Sequence, residues 1–358
     1  MRNTVQPVSS VLASLGLLLL TGCASVGPPT VARDRFDYVT TISDSWKRQT
    51  LQNLLKVRYN DAPVFMDVSA VISSYSLEGD ISLGGQYATS CSAGNFGTVG
   101  ATARYADKPT ITYQPLTGDK FAKSLMAPIP VTGLLYLIQS GYPADVVMRL
   151  CVNTINGLDN AFGGSGNPRA GDPRFHELMT LMHESQAGGG MGFRGKPVND
   201  TQAVVMFMRP TADRATDHSR RIGELLGLDA SEREFSVLYG SFPETNREIA
   251  ILTRSILQVM TDIASYVDVP ATDIAEGRVS NPQRSAEQQR LFPPLLAVRQ
   301  GASPPDDAFV AVPYRDGWFW IDDRDQRSKQ MLSFLMIMFS LTEGGPAQAA
   351  PIVTVPTR

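Results

Sequence analysis

The chain has 358 residues, 43% of them hydrophobic, enough apolar material for a sizeable core. Its 32 Lys and Arg against 35 Asp and Glu leave a formal charge of −3. That balance argues against a nucleic-acid partner, which calls for a basic patch or stripe, and the hydrophobic content argues against a disordered chain.

Residues 1–22 read as an export signal. Arg2 gives a positive start, and an apolar run follows from Val11 to Leu20, broken only by Ala13, Ser14 and Gly16. About ten residues is half of the roughly 20 that a helix needs to cross a bilayer. It suits the apolar region of a signal peptide that is removed from the mature protein. The segment ends Leu20-Thr21-Gly22-Cys23, which resembles the bacterial lipobox, Leu-small-Gly-Cys. The resemblance implies diacylglycerol on the Cys23 sulfur, cleavage before Cys23, and a fatty acid such as palmitate on the new amino end. Two or three acyl chains, at about 0.8 kcal/mol per buried methylene, hold a protein stably where one does not. Ala24 stands where an Asp marks inner-membrane retention in Gram-negative lipoproteins. The resemblance therefore implies the outer membrane, with the body facing the periplasm.

Residues 23–36 are expected as the lipidated cysteine and a flexible tether containing Ser25, Gly27, Pro28 and Pro29. A helix is expected from Asp44 to Arg58, with Trp46, Leu51, Leu54 and Leu55 on one side and Asn60-Asp61 ending it. From Pro63 to Pro115 the pattern is strands. Tyr75, Leu77, Ile81 and Leu83 alternate with Ser74, Ser76, Glu78, Asp80 and Ser82, which predicts one half-buried face. A Ser/Gly/Asn-rich loop covers Ala88–Gly97, and strands follow over Thr98–Tyr105 and Thr110–Tyr113. An apolar strand is expected near Val146–Val152. Residues 161–172 form a Gly-rich loop and the candidate lobe boundary. Asp172 and Pro173 have the spacing of a cap and first helical residue for a helix to Gln186, which Gly188-Gly189-Gly190 stops. A strand covers Ala203–Met208. The apolar repeat Ile249, Leu252, Ile256, Met260, Ile263, Val267, with Thr245 and Glu248 at capping-box spacing, predicts a helix from Asn246 to Val267. A hairpin joins Phe309–Tyr314 to Trp318–Asp322 through Asp316-Gly317. A last helix spans Gln326–Leu341 and is apolar all round over Met331–Phe339, as a buried helix is. The tail, 343–358, holds a candidate closing strand over Pro351–Pro356.

With Cys23 lipidated, Cys91 and Cys151 remain. An oxidising compartment permits a bridge between them, which would close a long loop and contribute roughly 4 kcal/mol. Two unrelated thiols, Cys151 buried in its apolar stretch, are the other reading.

The candidate chemistry is thin. His176 and His183 are seven residues apart on one helix, about 10.5 Å, too far to share one zinc ion. Asp217-His218-Ser219 are consecutive, so their side chains diverge. Gly190-Met191-Gly192-Phe193-Arg194-Gly195-Lys196-Pro197 fails as a phosphate loop at Pro197 and follows a helix rather than a strand. Gly163-Gly164-Ser165-Gly166-Asn167 misses the nucleophile elbow at its last position. Asp322, Asp323 and Asp325 lack the glycine and distal glutamate of a calcium loop. No metal, cofactor or nucleotide is expected. Glu184-Ser185 followed by Gly189-Gly190-Met191-Gly192 is similar to the Glu-Ser and Gly-Met-Gly elements of lytic transglycosylases, where the glutamate is general acid and base. The gap here is several residues too short, and a helix end running into a glycine stop explains the same residues. Trp318 and Trp320 share one strand face and are the candidate partner or glycan surface, Phe319 and Ile321 the core face.

The stretches Ser45-Trp46-Lys47-Arg48-Gln49 to Pro63-Val64-Phe65, and Tyr314-Arg315-Asp316-Gly317-Trp318-Phe319 to Ser328-Lys329, resemble uncharacterised proteobacterial lipoproteins, a resemblance that brings no activity. The sequence therefore predicts an α+β body over 37–342, mixed antiparallel sheets with packed helices, compact and divided into at most two lobes. Its expected function is a membrane-anchored envelope lipoprotein that binds an envelope protein or peptidoglycan, or forms part of a structure, without catalysis. A peptidoglycan-cleaving enzyme or an accessory subunit of an envelope transport or secretion assembly are the alternatives.

Overall fold

A computed structural model of the chain describes residues 28–72, 75–86, 96–107, 110–116, 118–164, 168–198, 201–209, 214–281 and 284–342. The signal segment, Cys23, Ala24, Cys91 and the expected tail strand lie outside these residues. The fold is α+β, and the chain divides into two units, Val64–Phe121 and the rest. The division falls on either side of a β-ribbon.

The larger unit begins with helix α1, Pro28–Arg58. Its first turns take up residues 28–36 of the expected tether. Leu51, Leu54 and Leu55, spaced three and four apart, are fully enclosed, and each such side chain contributes about 1.5–3 kcal/mol. Asn60, in the left-handed region at φ 58°, turns the chain out of the helix.

Helices α3 (Val131–Gln139) and α4 (Ala144–Cys151) lead into a six-stranded sheet. Its strands are β5 (Val152–Ile155), β6 (Leu158–Asp159), β7 (Met191–Val198), β8 (Thr201–Met208), β9 (Glu234–Tyr239) and β10 (Glu248–Thr253), in the order β6-β5-β10-β9-β8-β7. All pairs are antiparallel except β9 with β10. Asn156-Gly157 makes the two-residue turn between β5 and β6, both at positive φ, as an Asn-Gly hairpin turn requires. Two expectations are corrected here. Val146–Cys151 is the body of α4, whose buried Val147, Met148, Leu150 and Cys151 follow a helical spacing, and the strand starts only at Val152. The expected helix from Asn246 to Val267 is strand β10 followed by helix α7, Ile256–Ala264. In β10, Ile249, Ala250 and Ile251 are consecutive and buried, because a strand in the middle of a sheet meets packing on both faces and loses its alternation. The capping box that starts α7 belongs to Ser255 and Gln258: Gln258 N donates to Ser255 Oγ at 3.2 Å, and Ser255 N to Gln258 Oε1 at 2.9 Å.

Helix α5, Pro173–Ala187, starts as expected, with Arg174 N donating to the Asp172 carboxylate at 2.8 Å. Helix α6, Arg214–Leu226, packs on it. After the short helices α8 (Ala271–Ala275) and α9 (Ala286–Leu291), a second sheet runs β11-β13-β12, formed by Arg299–Gly301, Gly317–Asp322 and Ala308–Tyr314. The β12–β13 loop is Arg315-Asp316, one residue earlier than expected, with Arg315 at φ 50°. Helix α10, Gln326–Thr342, buries Met331, Leu332, Phe334, Leu335 and Met338 but leaves Ile337 exposed, so it is open on one side. It packs on α1, which also lies against α7 and β12.

The smaller unit is a two-stranded ribbon. Strand β1, Phe65–Ile72, pairs with β4, Thr110–Leu116, and β2, Tyr75–Gln86, pairs with β3, Phe96–Asp107. Helix α2, Gly118–Met126, follows it in the chain.

Candidate functional site

The ribbon is the feature with the least structural explanation. The same register offset holds from Ala70–Thr112 to Ile72–Thr110 and from Tyr75–Asp107 to Gln86–Phe96, so the β1–β4 and β2–β3 pairs share one pairing register. A bulge between Val68 and Ala70 is the only slip in its base. Both β2 and β3 are 12 residues long, twice a typical strand. Among the described residues neither has any other strand beside it. The register places Leu77 opposite Tyr105, Gly79 opposite Ala103, Ile81 opposite Ala101 and Leu83 opposite Val99. The other face takes Glu78 opposite Arg104, Asp80 opposite Thr102 and Ser82 opposite Gly100. Asp80, Ser82 and Thr102 of that polar face are exposed. At the base, Met66, Ile111 and Tyr113 carry the apolar face on and are exposed as well.

Sequence reasoning missed the most constrained charge of the larger unit. Arg254, between β10 and the α7 cap, is fully buried. Its Nη1 lies 3.0 Å from Asp262 Oδ2 and donates to Leu150 O at 3.2 Å, while Nε donates to Asn153 Oδ1 at 3.2 Å and Nη2 to Ala161 O. Gly163 N donates to the other Asp262 oxygen at 2.5 Å. A Cβ at Gly163 would stand 2.1 Å from Ser265 Oγ and 2.2 Å from Arg284, so only glycine lets the backbone come this close. A cleft of about 250 Å³ opens beside this knot, lined among others by Phe162, Arg169, Tyr266, Arg284 and Phe292. Its arginines are engaged: Arg169 lies 3.6 Å from Asp159, and Arg284 covers the Tyr266 ring at 3.9 Å and donates to Ser265 Oγ. Among the described residues that line the cleft no carboxylate occurs.

A second groove, about 520 Å³, lies between Tyr59, Asp273, Arg278, Tyr314 and Arg315. Tyr59 Oη donates to Asp273 Oδ2 at 2.6 Å, and Arg315 stacks over the Tyr59 ring at 4.4 Å. Burial and that hydrogen bond push the Tyr59 phenol well above its usual range, so it stays a neutral donor. The arrangement ties α1 to α8 and to the β12–β13 turn.

The residues singled out from sequence are scattered. Glu184 sits near the end of α5, half of its side chain open to water, with Oε2 3.3 Å from His218 Nε2 on α6. No low-dielectric pocket encloses it, which a glutamate acting as general acid needs. The Asp217-His218-Ser219 neighbours diverge along α6: Asp217 meets Arg220, His218 meets Glu184, and Ser219 is buried. His183 Nδ1 lies 3.0 Å from Asp145, whereas His176 leaves a buried Nδ1 with no partner against Phe292. Gly190 ends a helix turn and residues 191–198 are a strand, the reverse of a phosphate loop's order. No group of three His, Cys, Asp or Glu able to hold a metal occurs among the described residues. Asp325 caps α10, accepting from Ser328 N at 3.1 Å and Ser328 Oγ at 2.6 Å. Phe319 and Ile321 form the buried face of β13, and Trp318 and Trp320 stand half-buried on the other, Trp318 across from Gly301 and Pro313, Trp320 across from Arg299 and Ala311. Cys151 is a free, fully buried thiol, 3.7 Å from Met338 Sδ and pushed up to about 12 by desolvation. Cys91, its expected partner, lies outside the described residues.

No helix among the described residues is long and apolar enough to cross a membrane. No known protein family, no curated protein and no solved structure matches the chain.

Proposed function

We propose that the chain is a lipid-anchored cell-envelope protein that works as a structural component of an envelope assembly, without catalysing a reaction, and that the β1–β4 ribbon is the part through which it assembles. The observation that carries this reading is the pair of 12-residue strands with no other strand at either edge among the described residues. An isolated two-stranded hairpin is marginal in water, and each open edge presents a row of backbone donors and acceptors that a further strand satisfies. The Leu20-Thr21-Gly22-Cys23 motif supports the anchor, and Ala24 supports sorting to the outer membrane. The compact unit outside the ribbon, with its own core, supports a body that stays folded while the ribbon engages partners.

The test compares wild type, Cys23→Ser and a variant lacking residues 64–121 joined by a short linker. Fatty-acid label and membrane fractionation are read first, then the mass of the detergent-extracted species on native gels. Wild type and the ribbon deletion take up label and Cys23→Ser does not, while only the deletion loses the high-mass species. Unchanged complexes in the deletion, or equal label on Cys23→Ser, would contradict the proposal.

A further inference from the structure

The two faces of the outer ribbon differ over the stretch from Leu77 to Leu83 and the residues paired with it. By register one face takes Tyr75, Leu77, Ile81, Leu83, Val99, Ala101, Ala103 and Tyr105, with glycine at 79, 85 and 97 and a single charge, Asp107, opposite Tyr75 at the base. The other takes Ser76, Glu78, Asp80, Ser82, Gln86, Thr98, Thr102 and Arg104, with Ala106 opposite Ser76 and Phe96 opposite Gln86 at its two ends. Such alternation in segments of about ten residues is the sequence signature of a strand with lipid on one side and water on the other. The length agrees. Twelve residues at about 3.4 Å per residue reach about 41 Å, and a tilt of about 45° reduces that to about 29 Å of membrane thickness, against a hydrocarbon core of about 30 Å.

The base agrees as well. Tyr75 and Tyr105 lie near the base of the apolar face, where a membrane–water interface selects tyrosine. Between Asp80 and Arg104 the sequence holds no charged residue, so the outer parts of β2 and β3 carry no ionic cost in a bilayer.

We propose that β2 and β3 are membrane-spanning strands, contributed two per copy to a β-barrel that several copies of this chain close together. The inference rests on the envelope-assembly reading above and names its occupant: hydrocarbon on the apolar face, and the hairpins of neighbouring copies on the two edges. Only a closed barrel satisfies every edge donor and acceptor inside a bilayer. Two strands per copy give the even strand numbers found in bacterial outer membranes, and a barrel of at least about eight strands takes at least about four copies. Glu78, Asp80 and Arg104 then line the lumen, an aqueous path with two acids to one base per copy. A soluble protein partner adding a strand to the ribbon edge would leave the apolar face bare to water, which is why a bilayer is favoured.

The experiment uses the full lipidated protein, extracted in detergent and reconstituted into planar bilayers of phosphatidylethanolamine and phosphatidylglycerol. Stepwise ion conductance is expected from wild type. Ile81→Arg and Leu83→Arg, on the lipid face, should each cut insertion events by ~30-fold or more. Glu78→Gln with Asp80→Asn, on the lumen face, should keep the steps and lower their preference for cations. No steps from wild type, or equal steps from Ile81→Arg or Leu83→Arg, overturns the barrel. Fatty-acid label is read on the same preparations. Label without conductance contradicts the barrel alone; loss of label contradicts the anchor beneath it.

Discussion

Asp262→Ala is expected to be the most damaging single substitution in the larger unit that removes no apolar contact. The carboxylate faces Arg254, whose side chain is fully buried, and also takes Gly163 N at 2.5 Å. Without it a guanidinium remains in the core with only carbonyl and amide partners, and one backbone N–H loses its acceptor. Breaking a buried ion pair from one side costs about 3–5 kcal/mol, and an orphaned buried N–H about 1–3 kcal/mol. The two overlap, so the loss is set at about 3–5 kcal/mol. All three tryptophans, Trp46, Trp318 and Trp320, belong to the larger unit, so their fluorescence follows its unfolding without a contribution from the ribbon. At a slope of about 3 kcal/mol/M in urea the midpoint should fall by about 1 M or more. Arg254→Met with Asp262→Leu removes both charges at similar volume and should recover at least half of the loss. A fall below about 0.3 M, or a double variant worse than Asp262→Ala, would refute the view of this pair as the keystone of the sheet-to-α7 corner.

His176 supplies a pH dependence. Burial, then the nearby Arg149 and Arg290, hold its imidazole below the ordinary value of 6.5. The unfolded chain therefore takes up the proton first, and stability falls as pH drops below about 6.5 toward the folded-state value. His176→Phe should flatten that part of the urea-midpoint profile, and an unchanged slope would count against it. Glu184→Gln should leave peptidoglycan untouched in the same way as wild type, because the side chain is half in water and paired with His218; muropeptide release by wild type that the substitution abolishes would revive the transglycosylase reading.

Local chemistry carried through to the structure wherever one element could be read by itself. Asp172-Pro173 starts α5 where the sequence put it, Phe319 and Ile321 are the core face of β13, and the alternation from Tyr75 to Leu83 is a strand. The errors came where burial on two sides erases periodicity. Ile249, Leu252 and Ile256 have helical spacing by accident of a strand running into a helix, and Arg254, set between them, breaks the apolar pattern at the point where the element changes. Arg254 was legible only as an unexplained charge in an apolar stretch; its partners lie near 150, 161 and 262, distances in sequence that no spacing rule joins. The ribbon was partly legible. Its alternation was plain, but its length depends on β1 and β2 sharing one register with β3 and β4, a relation between segments rather than a property of either.

The central claim is that β2 and β3 are working strands that find their partners in the envelope. Amide hydrogen exchange on the full lipidated protein tests it most directly, comparing outer-membrane vesicles with a soluble form carrying Cys23→Ser and lacking the signal. The account predicts fast exchange across 75–86 and 96–107 in the soluble form, where the edges are open, and strong protection of the same amides in the vesicles, with the β5–β10 amides slow in both. Equal, fast exchange of the ribbon amides in vesicles and in solution would contradict it.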